Sequence, residues 1–214
     1  NGAGKTTTLE IIETLREKTS GQVTVCGYSI DRNPNEIKQL IGVQLQAAGY
    51  YPNISLRDQV KLFSGLYNRP VDPIEVLASV GLQDKVNARY KELSGGQKQR
   101  FSVCTTLINN PQIVFLDEPT TGLDPQARRN LWDLIRSIRQ QGKTVVITTH
   151  YMDEAENLCD RVAIINKGKI IRLDTPENLI DRLVDTGFER AKQVKKANLE
   201  DVFLHLTGHE LREE

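Results

Sequence analysis

The sequence predicts an α/β fold, with helices layered on a mainly parallel sheet. Two observations predict it. "QIVFLD" (112–117) and "KTVVITT" (143–149) are continuous apolar runs of strand length, as found in strands buried on both faces. Around them strand-like and helix-like segments alternate, the order that produces a parallel sheet covered by helices. At 214 residues, 38% hydrophobic and 26% charged, the chain has the makeup of an ordinary globular protein with one sizeable core.

The elements follow in order. Residues 6–17 set Leu9, Ile12 and Leu15 at helical spacing, and Ser20-Gly21 ends that helix. "QVTVCGYSI" (22–30) alternates like a short strand, and "LIGVQL" (40–45) is a further strand. "NISLRDQVKLFSGLY" reads as a helix with Ser55 as N-cap and Asp58 three residues on, a capping-box variant. Pro70 and Pro73 mark a loop before the short helix "PIEVLASVGL". The next helix carries Phe101, Cys104, Leu107 and Ile108 on one face, and Asn109-Asn110-Pro111 stops it. Asp124-Pro125 has the form of an N-cap followed by proline at the first helical position, opening a helix that runs to Gly142. "RVAIINKGKIIRL" reads as a hairpin and Thr175-Pro176 as the start of another helix. "NLEDVFLHLTG" closes the chain as an amphipathic helix with Leu199, Val202, Phe203 and Leu206 on one side.

Composition excludes several function classes. Lys+Arg and Asp+Glu both number 28, so the net charge is zero, against the basic footprint expected of a nucleic-acid partner. Cys26, Cys104 and Cys159 are far apart and odd in number, with no paired spacing. They read as reduced, partly buried thiols rather than as a disulfide or zinc framework. No apolar run approaches the roughly 20 residues of a membrane span, so any link to a membrane runs through a partner. His205, His209 and the mixed charges from Arg182 to Lys196 read as solvated surface.

In parallel sheets ligands sit beyond the carboxyl ends of the strands. Asp117 and Glu118 follow the first apolar run and His150 follows the second. "NGAGKTT" supplies the second half of a phosphate-binding loop, G-x-x-x-x-G-K-[ST], with Gly4, Lys5 and Thr6 in pattern and Asn1, Gly2 and Ala3 as spacers. An acid at the end of a buried strand, paired with such a loop, is what phosphoryl transfer needs. One carboxylate holds Mg²⁺, while backbone N–H groups and the lysine bind phosphates. Glycines let the backbone approach closely, and the helix beginning near Lys5 adds its positive end. Ser94, Gly95 and Gly96 open another helix and make a second anion site.

The stretch "LSGGQKQR" (93–100) makes the match specific. With "NGAGKTT", "IGVQLQ", "IVFLDEP", "TGLDP" and "TTH" in that order, the sequence resembles the nucleotide-binding subunits of ATP-binding cassette (ABC) transporters from Asn1 to the C-terminus. The resemblance implies a P-loop NTPase three-layer core with a helical signature subdomain. It implies that ATP is held by Asn1, Gly2, Ala3, Gly4, Lys5, Thr6 and Thr7, and from across an interface by Ser94, Gly95, Gly96, Gln97 and Asp124. Mg²⁺ falls to Thr6, Gln46 and Asp117, and catalysis to Glu118 as general base with His150 and Gln46. Gln44 competes with Gln46 for the glutamine position, and Asp124 is equally a helix cap. The two phosphate-reading loops imply a twofold homodimer or heterodimer.

"DTPENL" and "LEDVFLHLTG" resemble the prokaryotic branch that exports drugs, antibiotics or polysaccharides through a separately encoded permease, which places the chain at the cytoplasmic face of the membrane. The alternative is an ABC ATPase acting on the ribosome or DNA, and a third reading is a binding-only subunit with a dead site. Within one domain (1–214), about 50–96 is expected to form the helical subdomain and 174–214 a C-terminal extension. Tyr50 and Tyr51 are expected to meet the permease. Because the loop's first glycine would precede Asn1, the chain is expected to lack the N-terminal strands, the one feeding the loop lying between "IVFLD" and "VVITT". Residues 1–214 alone are then expected to fold incompletely and bind ATP weakly.

Overall fold

The computed structural model describes residues 2–44 and 49–186. In chain order these form α1 (Lys5–Ile12), β1 (Thr24–Val25), β2 (Tyr28–Ser29), α2 (Pro34–Leu40), β3 (Ile41–Gln44), α3 (Leu56–Leu66) and α4 (Pro73–Ala78). Two short 3₁₀ turns lead to α5 (Gly95–Leu107), β4 (Ile113–Asp117), α6 (Pro125–Gln140), β5 (Thr144–Thr148) and α7 (Met152–Leu158). The hairpin β6 (Val162–Asn166)–β7 (Lys169–Asp174) and α8 (Pro176–Asp185) follow.

The central sheet runs β3-β4-β5, all parallel. Every residue of β4 is apolar up to Asp117, and both faces are covered. Phe115 packs with Leu9, Ile37 and Ile41 on the α1/α2 side. Val114 and Leu116 pack with Val103, Leu131, Ile135 and Ile138 of α5 and α6 on the other. Helix, sheet and helix thus make the three layers.

A second core lies away from the sheet. Leu56, Val60, Leu77, Leu82 and Val86 close on Phe101 and Cys104 of α5 and on Ile108 just after it, so α5 serves both cores. Ser55 caps α3 by accepting the Asp58 N–H, and its hydroxyl donates to the Asp58 carboxylate. The three thiols are free; burial pushes Cys104 up to about 12, which keeps it protonated and inert.

Several expectations are corrected. No strand separates "IVFLD" from "VVITT", because β4 and β5 pair directly from Ile113↔Thr144 to Asp117↔Thr148. β5 is half-buried rather than buried on both faces. Among the described residues it pairs on one side only. The first helix stops at Ile12 instead of reaching 17. Thr14 turns left-handed (φ 62°), the Leu15 and Arg16 N–H groups fold back onto the Glu10 carbonyl, and Leu15 faces solvent. "QVTVCGYSI" is a tight hairpin, with Cys26 and Gly27 both at positive φ in its two-residue turn. Helix α2, unforeseen in the sequence, buries Ile37 completely. Tyr50 is an internal residue: its ring packs on Phe63, Tyr90 and Phe101, and its hydroxyl bonds Ser102 and Thr105. Tyr51 is exposed. The closing "NLEDVFLHLTG" lies outside the described residues.

Two residues make the packing testable. A Cβ added at Gly42 would meet the Thr106 carbonyl oxygen at 2.0 Å, so β3 and α5 approach as closely as they do only because position 42 has no side chain. Gly42→Ala is expected to destabilise the fold by about 1–3 kcal/mol or more, read by urea denaturation. Glu13, the C-cap of α1 and only 4% exposed, has its carboxyl raised to about 7, first by burial and then by Asp117 and Glu10. A raised carboxyl favours the folded state below its unfolded value near 4.5 and loses that contribution as pH rises through about 7. Glu13→Gln should therefore match the wild type in stability at pH 4.5 and exceed it by ~1–3 kcal/mol at pH 8; equal pH profiles would dismiss the buried-carboxyl account.

Candidate phosphate-binding and catalytic site

The loop before α1 forms as its glycines allow. Gly2 (φ 76°) and Gly4 (φ 96°) both take left-handed conformations, and Gly4 is the N-cap of α1. Gly4 also accepts the Thr8 N–H and hydroxyl at its carbonyl, fixing the first turn. The Ala3 carbonyl accepts the Gly168 N–H at 2.8 Å, so the β6–β7 turn braces the loop from outside. Gly2, Ala3, Gly4, Lys5, Thr6, Thr7 and Glu118 line an open cleft of about 420 Å³. Its floor is the N-terminus of α1, where unpaired backbone N–H groups attract an anion.

The acids arrive from the end of β4. Asp117 is buried between two threonines: Thr148 Oγ1 donates to its Oδ1, and Thr6 Oγ1 donates to its Oδ2 at 3.3 Å. The next residue, Glu118, would face the opposite side of an ideal strand. Instead its φ is 48°, a conformation rare outside glycine and met at functional sites. Its N–H is anchored to the Thr148 carbonyl and hydroxyl at 3.1 Å each. That reversal turns Glu118 into the same cleft that Asp117 serves through Thr6.

Around Glu118 the charges converge. Lys5 Nζ lies 3.9 Å from its Oε1, His150 Nδ1 lies 3.2 Å from its Oε2, and Thr121 Oγ1 donates to Oε2 at 3.4 Å. The Glu118 side chain is 13% exposed and Lys5 23% exposed, so the carboxylate meets the cleft while largely shielded from bulk water.

The structure thus gathers Gly2 through Thr7, Asp117, Glu118 and His150. It does not place Ser94, Gly95, Gly96, Gln97 or Asp124 on that cleft. Ser94 caps α5 in a reciprocal box: its Oγ accepts the Gln97 N–H at 3.3 Å, and Gln97 Oε1 accepts the Ser94 N–H at 3.1 Å. Gln97, expected on ATP, is buried within that cap. Asp124 Oδ1 caps α6, accepting the N–H groups of Gln126 and Ala127 at 2.9 Å. Asn1 and Gln46 lie outside the described residues, while Gln44 is buried at the end of β3.

Sequence reasoning missed Thr148, Thr121 and Gly168. A signal for Thr148 existed: it is the polar residue that ends an apolar strand, in register with Asp117.

Hard oxygen donors in Thr6 and Asp117, 3.3 Å apart, suit Mg²⁺. The described residues hold no group of three or more His, Cys, Asp or Glu able to form a protein cage for a metal.

Comparison with known proteins agrees with this geometry. Residues 1–121 match the ABC transporter family. The Nod factor export ATP-binding protein I of Burkholderia orbicola is 32% identical over 265 aligned positions, covering all of this chain and 87% of that protein. Its namesake in Rhizobium etli is 40% identical over 189 positions, 86% of this chain and 60% of that protein. A solved dimeric, post-hydrolysis ATP-binding cassette bound to ADP and Pi is 27% identical over 81% of each chain, with a TM-score of 0.70. The fold alone also matches an ATP binding subunit of an ABC transporter, at a TM-score of 0.74 over 97% of this chain and 24% identity. The chain therefore belongs to the ABC transporter family as an ATP-binding domain.

Proposed function

We propose that the chain is the ATP-binding and ATP-hydrolysing subunit of an exporter, and that it powers a separate membrane permease from the cytoplasmic face. The observation that carries this reading is Glu118, gripped between Lys5 and His150 at the mouth of the phosphate cleft. Two relatives of the chain are named as export ATP-binding proteins. No helix among the described residues is long and apolar enough to cross a membrane.

Each residue has a task in the reaction. The loop N–H groups and Lys5 hold the β- and γ-phosphates. Thr6 and Asp117 would hold Mg²⁺, with Gln46 as a further ligand, and the bound ion would offset phosphate charge. Glu118 accepts a proton from the attacking water as its oxygen bonds to the γ-phosphorus. The bond from that phosphorus to the bridging oxygen breaks, and ADP and phosphate leave. His150 holds Glu118 and contacts the γ-phosphate.

The second anion-binding helix start, at Ser94, Gly95 and Gly96, does not line this cleft. A twofold dimer supplies it from the partner, with Asp124 at the same interface. ATP closes the dimer and hydrolysis reopens it.

In the intact protein, Glu118→Gln is expected to bind ATP with near wild-type affinity and to lose turnover by about 10²–10⁴-fold. Calorimetry and phosphate release measure the two quantities. Wild-type turnover in that variant would remove Glu118 from the base role. The same variant with ATP is expected to dimerise in light scattering, and adding Ser94→Arg should abolish the dimer. An ATP-bound dimer indifferent to Ser94 would contradict the shared site.

A further inference from the structure

His150 needs support that its own strand does not give. It follows β5 by two residues, its side chain is 43% exposed, and its contact with Glu118 is made at Nδ1. The residue beside it supplies a surface. The Tyr151 ring stacks on the imidazole with centroids 4.2 Å apart and planes at 37°. Tyr151 is itself held. Its N–H donates to Thr149 Oγ1 at 2.9 Å, and it forms the N-cap of α7. The Arg128 guanidinium lies 4.6 Å from its ring centroid, a cation–π distance. Arg128 in turn is only 17% exposed and reaches Asp153 of α7 at 3.9 Å. It stands one turn into α6, its N–H bonded to the carbonyl of the cap residue Asp124.

We propose that Tyr151 is a positioning residue for ATP hydrolysis: gripped by Arg128, its ring fixes the His150 imidazole against Glu118. This rests on the function proposed above. Its chemistry is orientation. A ring free to rotate at the end of a strand spends little time 3.2 Å from a carboxylate, whereas one stacked on a second, anchored ring is pre-set there. The chain Asp124–Arg128–Tyr151–His150–Glu118 also ties the start of α6 to the catalytic carboxylate through contiguous contacts. Only the ring of Tyr151 enters these two contacts.

Steady-state kinetics of the intact protein test it. Tyr151→Ala should lower kcat by about 10-fold or more and change KM for ATP far less, since Lys5 and the loop N–H groups keep their hold on the phosphates. Tyr151→Phe keeps the ring and should keep kcat. Arg128→Ala should lower kcat in the same sense. In a His150→Ala background, Tyr151→Ala should have no further effect, because the residue acts only through the histidine. The His150 Cε1–H proton resonance gives an independent readout: losing the ring current of Tyr151 should shift it in Tyr151→Ala and spare it in Tyr151→Phe.

The outcomes separate. Wild-type turnover in His150→Ala would overturn both the site reading and this proposal. A slow His150→Ala with Tyr151→Ala at wild-type kcat would overturn the proposal alone. So would an equal loss from Tyr151→Ala with and without His150, or an unmoved His150 resonance.

Discussion

The Asp117 carboxylate holds the site together. It ends the central strand, receives the Thr148 hydroxyl from β5 and receives the Thr6 hydroxyl from α1. One buried acid thereby joins three elements at the cleft. Thr148 completes the arrangement by also holding the Glu118 N–H, which stabilises a backbone conformation that costs of order 1–3 kcal/mol. The sheet sets Asp117 in place through its direct register with Thr148, and the loop helix is aligned to Asp117 in turn.

Much of this was legible because the chemistry is local in sequence. The loop, the strand-end acids and the histidine each follow a short pattern whose physical need can be stated: glycines for close approach, an apolar run to bury a strand, a polar group where the run ends. The caps at Ser55, Asp72, Thr175 and Asp124 are equally local, each side chain accepting an N–H two or three residues on. Where tertiary contacts decide, the sequence misleads. Leu15 has helical spacing, yet a left-handed Thr14 turns it to solvent. Tyr50 looks like a surface aromatic beside a loop, yet three distant rings enclose it. α2 has a single fully buried side chain, Ile37, too little periodicity to announce a helix. Pairing order is the clearest case. The apolar runs of β4 and β5 reveal two strands but not that they are neighbours.

Burial and catalysis also divide the acids by environment. Glu13, behind the site, is pushed toward the neutral form by its apolar surroundings and by Asp117. Asp117, also buried, accepts two hydroxyls. Glu118 sits at the mouth, within reach of a lysine and a histidine. Three carboxyl groups of one neighbourhood are thus set apart by their partners.

Helix α5 serves two cores. Val103 belongs to the sheet core, and Phe101, Cys104 and Ile108 belong to the helical core. Thr106 presents its carbonyl to a glycine that admits no side chain. The outward faces of α3 and α4, by contrast, carry Leu62, Leu66 and Ile74 in the open. Sequence drift in descendants of this gene is therefore channelled. The buried positions of α5 answer to one core or the other, while the exposed positions of α3 and α4 remain free to adapt to whatever they touch.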